Sequence, residues 1–170
     1  TTHDFTFAGQ IQDGSGTVSL VKRGTGLTTL AAVQSYSGET RIENGSLLLS
    51  LANQLTAATA VNLSTSTAKL DLRNFSQRVG AITGSGTISL GSASLDVGGN
   101  NTDTTFSGAI TGSGSLLKRG TGTLTFTTAQ TYTGTTSVVV PVVDEPIDLF
   151  RDVIGRMVEQ GPGEIIVVIN

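Results

Sequence analysis

The chain contains Lys22-Arg23-Gly24-Thr25-Gly26, and 96 residues further on it contains Lys118-Arg119-Gly120-Thr121-Gly122. The same step brings four later residues into correspondence, because Gln34, Tyr36, Gly38 and Thr40 match Gln130, Tyr132, Gly134 and Thr136. A second echo is shorter, since residues 80–86 and 108–114 both read Gly-Ala-Ile-Thr-Gly-Ser-Gly. Self-similarity in Gly, Thr and small apolar residues predicts that one structural unit is stacked on copies of itself.

Composition limits the class of protein. The 170 residues suffice for one domain with a buried core, and they include 22 Gly but only 14% charged residues. A net charge of −3 and a pI near 5.0 argue against a nucleic-acid partner, since phosphate binding needs a concentrated basic surface. The absence of cysteine argues against a disulfide-stapled fold, and no apolar run is long enough for a membrane-spanning helix. The start at Thr1, without Met or a signal peptide, predicts a processed piece or an engineered chain.

Residues 1–138 predict a series of short β-strands. Apolar and polar residues alternate in Val18-Ser19-Leu20 and in Leu124-Thr125-Phe126, as in half-buried strands, and turn signals such as Asn44-Gly45 separate the runs. The predicted strands are 4–8, 17–22, 27–31, 40–43, 46–51, 60–64, 68–73, 79–83, 86–90, 93–97, 103–107, 115–118, 123–128 and 135–140. The best helical candidate in this region, 51–60, is weakened by its Thr and Asn content.

Short strands of this kind form either a sandwich of hairpins or a solenoid of parallel turns. The repeats favour the solenoid, because each turn then places equivalent residues above those of the turn before. The sequence therefore predicts an all-β fold, a parallel β-helix over 1–138, with about 20–28 residues per turn and about five or six turns.

Residues 139–170 differ in composition and predict a β-α-β-like unit. Its predicted elements are a strand over 138–143, a helix over 145–160 and a short strand over 164–169, and Asp144 is a suitable N-cap for the helix. The amphipathic stripe of the helix consists of Ile147, Phe150, Ile154, Met157 and Val158. We expect the helix to cap the open end of the solenoid, which would otherwise self-associate. Docking of the helix into a partner's groove is the alternative.

The second repeat copy resembles a known family. Residues 114–126 read Gly-Ser-Leu-Leu-Lys-Arg-Gly-Thr-Gly-Thr-Leu-Thr-Phe, and 130–136 follow as Gln-Thr-Tyr-Thr-Gly-Thr-Thr. This pattern resembles the passenger-associated transport repeat of bacterial autotransporters, and residues 16–42 are a looser match. The resemblance implies a right-handed parallel β-helix that is secreted or displayed on the bacterial surface, with a role for the repeat in folding during transport.

The chain departs from the family's pattern at several positions. Gln34 and Gln130 replace the Asn before Thr-Tyr, and Glu39 and Thr135 replace a glycine of the Gly-Gly-Thr segment. The strand expected after Thr136 gives way to a Val-, Pro-, Asp- and Glu-rich tail that does not resemble the family. These departures predict an engineered or redesigned β-helix built from such a passenger, with a natural passenger as the alternative. The secreted or surface location that the resemblance implies applies to a natural passenger and does not extend to an engineered chain.

The basic pairs Lys22-Arg23 and Lys118-Arg119 are the candidate binding residues. They would bind an anionic glycan or lipopolysaccharide if both pairs lay on one edge. The alternative is that these charges occupy turns, keep the surface soluble and discourage edge pairing. Tyr36 and Tyr132 are expected to pack in the ladder or at a corner rather than to serve as sugar platforms.

No catalytic, metal or cofactor site is predicted. His3 is the single histidine and lies near the terminus, which argues against a His-dependent triad or a His-rich metal site. Asp71, Asp96 and Asp103 are the acids that a polysaccharide-acting β-helix would use, but only stacking could bring them together.

The sequence thus predicts a structural scaffold or stalk fragment, with no enzymatic activity, no cofactor and no small-molecule substrate. An adhesin-type passenger that contacts a glycan or a host surface is the alternative, and a polysaccharide-acting enzyme is less favoured.

Overall fold

Three parallel β-sheets form the walls of a solenoid in the computed structural model, which describes residues 3–140 and 165–169. Sheet 1 contains β1 (Phe5–Phe7), β3 (Leu27–Leu30), β5 (Gly45–Leu49), β7 (Ala68–Asp71), β10 (Thr87–Ser89) and β13 (Ala109–Thr111). Sheet 2 contains β8 (Gln77–Val79), β11 (Leu95–Val97), β14 (Leu116–Lys118), β16 (Thr136–Val140) and β17 (Ile165–Ile169). Sheet 3 contains β2 (Leu20–Lys22), β4 (Thr40–Ile42), β6 (Ala60–Leu63), β9 (Ala81–Gly84), β12 (Thr104–Phe106) and β15 (Leu124–Phe126).

The strand register sets the length of each turn. Residues aligned on successive strands of sheet 1 are Phe5, Thr28, Leu47, Leu70, Ile88 and Ile110. The turns therefore take 23, 19, 23, 18 and 22 residues. All the described strand pairs are parallel, and the six strands of sheet 1 mark six turns. The parallel solenoid is confirmed, and the sandwich of hairpins is excluded because a hairpin needs antiparallel strands.

The core is a set of stacked apolar columns. Leu47, Leu70, Ile88 and Ile110 lie one above the other in sheet 1, and each is 0% exposed. Full burial of such a side chain contributes about 1.5–3 kcal/mol relative to exposure. Because every turn from β5 onward adds the same kind of layer, the core is continuous along this part of the axis.

The predicted strands agree with the structure except at two positions. Each of the fourteen predicted strands overlaps an observed one, but β8 and β13 were not predicted. The predicted strand 79–83 is divided by a corner at Gly80, where a Cβ atom would lie 2.6 Å from the Ala58 carbonyl oxygen. The helical candidate 51–60 is wrong, since the described residues contain no helix and Gln54 lies buried in an irregular corner there.

The end of the chain contributes a further strand to sheet 2. β16 and β17 run parallel, with Val138 opposite Val167, close to the predicted strands 138–143 and 164–169. The predicted helix 145–160, with its stripe Ile147, Phe150, Ile154, Met157 and Val158, lies outside the described residues and stays a prediction.

The two copies of the shorter repeated segment lie in different sheets of the solenoid. The seven residues shared by 80–86 and 108–114 form β9 in sheet 3 and β13 in sheet 1. Their local structure is nevertheless the same, because Ile82 and Ile110 are both 0% exposed and Gly84 and Gly112 have φ values of +96° and +114°. Positive φ of this size favours glycine. One short sequence thus builds the same corner on two different walls.

Candidate functional site

Lys22 points into the solenoid rather than into solvent. It stands in the same inward column of sheet 3 as Ile42, and the residue is only 6% exposed. Its Nζ atom donates to the carbonyl oxygens of Arg23 at 3.1 Å, Gly24 at 2.7 Å and Asn44 at 3.1 Å. An ammonium group has three donors, so these acceptors use all of them. The alternative that this lysine is a solubilising charge on a turn is therefore wrong, because its ammonium group is bonded to the backbone carbonyls of the corner.

Lys118 repeats this arrangement in sheet 2. It stands in an inward column with Val97 and Val138, and its Nζ atom donates to the carbonyl oxygens of Arg119 and Gly120. Burial lowers the pKa of the Lys118 ammonium, and the Asp103 carboxylate acts in the opposite direction. Burial also lowers the pKa of Lys22. Both lysines thus donate hydrogen bonds to backbone carbonyls of the corner that follows their strand.

The arginines of the two basic pairs form ion pairs between turns. Arg23 donates through Nε to Glu43 on the next turn at 2.9 Å. Arg119 and Arg78 both donate through Nε to Oδ2 of Asp96, at 2.7 and 3.0 Å. Asp96 is 8% exposed, and within the described residues its Oδ1 atom has no hydrogen-bond partner. The side chains of Arg23 and Arg119 remain 76% and 41% exposed, so solvent and ions still reach them.

The two basic pairs lie on different walls. Lys22 ends β2 in sheet 3, whereas Lys118 ends β14 in sheet 2, five turns further along the axis. Neighbouring parallel strands are about 4.8 Å apart, so the pairs are separated by roughly 24 Å along the solenoid. The structure does not bring them onto one edge. The condition on which binding of an anionic glycan or lipopolysaccharide was predicted, both pairs on one edge, is therefore not met.

The two tyrosines of the repeat make matching contacts inside the wall. The hydroxyl of Tyr36 lies 2.5 Å from the Thr40 hydroxyl, and that of Tyr132 lies 2.5 Å from the Thr136 hydroxyl. Tyr36 is 0% exposed. Burial raises the pKa of both phenols, against the opposite effect of the threonine hydrogen bond. These positions agree with the expected packing role.

A ladder of buried glutamines joins successive turns at the corner after sheet 1. Gln34, Gln54 and Gln77 are 2%, 0% and 2% exposed. Gln54 donates through Nε2 to the Ala32 carbonyl at 2.8 Å, and Oε1 of Gln77 accepts from the Gln54 backbone N–H at 2.8 Å. Gln130 repeats the role of Gln34 in the second copy, since its Oε1 accepts from the Ile110 N–H at 2.8 Å. Gln54 and Gln77 were not predicted to have a role, since a Gln near the same corner of successive turns is their only signal in the sequence.

The three candidate acids are separated by the fold. Asp71 lies on sheet 1, Asp96 on sheet 2, and Asp103 immediately before β12 of sheet 3. Each has its own structural partner: Asp71 pairs with Lys69 at 3.1 Å, and Asp103 accepts from the Thr123 N–H at 2.7 Å. Stacking therefore does not gather them into one acid cluster.

The described part of the chain offers no enclosed binding pocket. Side chains fill its interior, and the concavity beside Lys118 and Leu124 has no room for a ligand. The described residues include no group of three potential ligands that could hold a metal ion. They also include no helix with the length and apolar character of a membrane span.

A known protein family matches the two segments that contain the basic pairs and the tyrosines. The family model described as Passenger-associated-transport-repeat matches residues 20–49 and 116–139. The chain carries autotransporter passenger repeats. Over 146 residues it is 38% identical to the "Adhesin BmaC autotransporter" of Brucella suis biovar 1 (strain 1330). The aligned region covers 82% of this chain but only 4% of the length of that relative. No solved structure matches the chain.

The two passenger repeats coincide with the segments that occupy different walls. The first match begins at β2 in sheet 3, and the second at β14 in sheet 2. Both contain the inward lysine, a glutamine whose Oε1 atom accepts from a backbone N–H on the turn before, and the tyrosine–threonine contact. The passenger repeat therefore specifies a corner and its hydrogen bonds, whichever wall it occupies.

Proposed function

We propose that this chain is a stiff stalk segment of an autotransporter passenger, secreted or displayed at the bacterial surface, with no catalytic activity of its own. The observation that carries the proposal is the unbroken core, in which columns such as Leu47–Leu70–Ile88–Ile110 continue through successive turns. A repeat structure with a continuous core and cross-turn contacts resists bending because each turn is fixed to its neighbours.

Polar contacts between turns support the same proposal. The Lys22 ammonium reaches the next turn at Asn44, and the Gln54 amide reaches back to Ala32. Asp96 holds arginines from the turns before and after it. Hydrogen bonds that involve a charged group are stronger than neutral ones, and those made between buried groups are costly to lose. Such bonds suit a segment that must keep its shape outside the cell.

Hydrogen–deuterium exchange on the intact chain tests the stalk. We expect slow exchange of the strand amides without interruption from β3 to β14, with a common exchange rate set by global unfolding. Two blocks with clearly different protection would contradict a single stiff segment.

We also propose that the solenoid is right-handed and spans residues 1–138, and that residues 139–170 form its C-terminal cap. Support for the cap comes from the parallel pairing of β17 with β16 at this end and from the amphipathic stripe of 145–160. Truncation after Val138 tests it by light scattering. We expect the shortened chain to self-associate through its open end, and a stable monomer would contradict the cap.

The end of the family match motivates a proposal about origin. The second match stops at residue 139, and the tail that follows is rich in Val, Pro, Asp and Glu. We propose that an engineered junction lies near this point. A natural gene that encodes this tail directly after the passenger repeats would contradict it.

Adhesion is the second candidate function. It is favoured by one observation, the 38% identity to a relative whose name describes an adhesin. Because the chain spans 4% of that relative, adhesion by this segment needs its own test. Saturable binding of the purified chain to host cells or to a glycan array would support adhesion. Binding to neither would leave the stalk as its function.

A further inference from the structure

The first passenger repeat contains the single Asn–Gly pair of the chain, Asn44-Gly45, at the corner between β4 and β5. Gly45 has a φ of +67°, a value that favours glycine. A Cβ atom on Gly45 would lie 2.6 Å from the carbonyl oxygens of Gly24 and Gly26, so the corner leaves no room for a side chain. The fold thus requires a glycine here, and no side chain shields its backbone nitrogen from Asn44.

The N–H group of Gly45 points at the side chain of Asn44. It donates to Oδ1 of Asn44 at 2.9 Å, and the carbonyl carbon Cγ is one bond beyond that oxygen. Loss of the N–H proton would leave a lone pair along the direction of the former N–H bond, so the nitrogen is already aimed at the carboxamide. Prior placement of two reacting groups removes much of the entropic barrier to their reaction.

Lys22 supplies a positive charge where this proton loss needs one. Its Nζ atom donates at 3.1 Å to the backbone carbonyl oxygen of Asn44, which belongs to the same peptide group as the Gly45 N–H. When that group loses its proton, negative charge moves onto the oxygen. A donor that is fixed beside a developing negative charge stabilises it without further reorganisation.

The surroundings of Asn44 favour the same reaction. The Glu43 carboxylate, whose charge would oppose an anion on the adjacent peptide group, is paired with Arg23 at 2.9 Å and with Arg41 at 3.5 Å. Within the described residues, the Nδ2 atom of Asn44 makes no hydrogen bond, so none of them holds the amide nitrogen in place. Asn44 and Gly45 are half-buried rather than buried, which leaves the corner open to water.

We propose that Asn44 is a site of spontaneous deamidation that the folded corner promotes. A base from solvent takes the Gly45 N–H proton, the nitrogen forms a bond to Cγ of Asn44, and the bond from Cγ to Nδ2 breaks to release ammonia. Water then opens the five-membered imide. Cleavage at Cγ gives aspartate, and cleavage at the backbone carbonyl gives isoaspartate. Water is the co-reactant, and no oxidant or reductant takes part.

This modification goes beyond the proposed stalk function, because it limits how long one corner keeps its structure. Isoaspartate adds a methylene to the main chain at a corner whose space is taken by the carbonyls of Gly24 and Gly26. We expect the added methylene to separate the Lys22 ammonium from the Asn44 carbonyl and so to weaken the contact between turns. The second passenger repeat has no Asn–Gly pair, so the change is confined to the first.

Incubation of the full chain in mildly alkaline buffer, followed by peptide mass spectrometry, tests the proposal. A parallel sample in urea gives the rate for the unfolded chain, in which the contacts of the corner are absent. We expect Asn44 to be converted at least as fast in the folded chain as in urea. Asn101, which is exposed and precedes Thr102, is the internal control and should stay intact in the folded chain.

Two variants test the role of the lysine. Lys22→Met should slow the conversion of Asn44 in the folded chain by about tenfold or more, because it removes the donor to the peptide oxygen. Lys69→Met, which removes a partly exposed ion pair, is the matched control and should change the rate by less than about twofold. Circular dichroism establishes that both variants fold. If Lys22→Met does not fold, the comparison of the folded and unfolded parent decides by itself.

Two results would overturn the proposal. The first is an Asn44 that stays intact in the folded chain while it is converted in urea, since the corner would then protect the residue. The second is a rate in folded Lys22→Met that equals or exceeds that of the parent, since the lysine would then not promote the reaction.

Discussion

Gln54 offers the sharpest test of the buried ladder, because its side chain supports backbone groups on two turns. Its Oε1 atom accepts from the N–H groups of Ser50 at 2.9 Å and Leu51 at 3.3 Å. Its Nε2 atom donates to the Ala32 carbonyl, which also accepts from Gln34 at 2.5 Å. Gln54→Ala therefore leaves two backbone donors, but no carbonyl, without a partner.

The size of the effect follows from those two donors. Leu51 is 39% exposed, so water can replace the partner of its N–H. The half-buried Ser50 N–H is left unsatisfied at about 1–3 kcal/mol, and the lost methylene contributes about 0.8 kcal/mol more. We expect Gln54→Ala to lower the free energy of unfolding by about 2–4 kcal/mol, a large part of the 5–15 kcal/mol that is typical of a domain.

Urea unfolding followed by circular dichroism measures this loss, with an unchanged slope as the sign of two-state behaviour. Gln10→Ala is the control, because Gln10 is exposed and should change stability by less than about 0.5 kcal/mol. Gln54→Leu fills the volume but leaves the same donors unpaired, so it should destabilise like the alanine variant. If Gln54→Leu were as stable as the parent, the hydrogen-bond explanation would be refuted in favour of packing.

Three further predictions concern two corners and the buried Tyr36. Gly114→Ala should lower the free energy of unfolding by several kcal/mol, because its Cβ would lie 1.9 Å from the Ala93 carbonyl oxygen. Gly14→Ala is the control in the same unfolding assay. It should be neutral, because a Cβ at Gly14 meets nothing within 4 Å. Lys118→Met should lower the free energy of unfolding by about 1–3 kcal/mol, because it removes the donor to two corner carbonyls. Lys69→Met removes a partly exposed ion pair and should lower it by less than about 1 kcal/mol. Equal losses would contradict the role of Lys118 at the corner. Burial raises the pKa of Tyr36 above its ordinary value of 10.0, so the folded state keeps the phenol proton and the free energy of unfolding should fall as the pH rises above 10.0. Tyr36→Phe should show a smaller fall, and an identical pH dependence would contradict this contribution.

Repetition was sufficient to predict the parallel solenoid, but not the wall that each strand occupies. The alternation of inward and outward residues has the same period on all three walls, so it carries no information about which wall a strand joins. Turn lengths between 18 and 23 residues also prevent a fixed period from setting the register. The run Val79-Gly80-Ala81-Ile82 illustrates the difficulty, because it reads as one strand although β8 ends at Val79 in sheet 2 and β9 begins at Ala81 in sheet 3.

The candidate site was harder to predict than the fold. Lys22 and Lys118 each stand two residues after a leucine, so strict alternation would have placed both on the inner face. That signal was available, but lysine is almost never fully buried and was assigned to the surface. Gln54 and Gln77 carried less information, because glutamine is common on surfaces and their spacing follows no constant step. Their role depends on contacts between turns, which a linear pattern does not contain.

The interchangeable walls have a consequence for how such passengers vary. Since one corner-forming sequence fits two different walls, we expect that a short insertion or deletion need not preserve whole turns. Adding about one third of a turn would leave the core intact and rotate every later residue by one wall. A lineage could thus change the direction in which a surface faces through a shift of phase, with no substitution in the surface itself. Recombination between passenger repeats would produce such shifts directly.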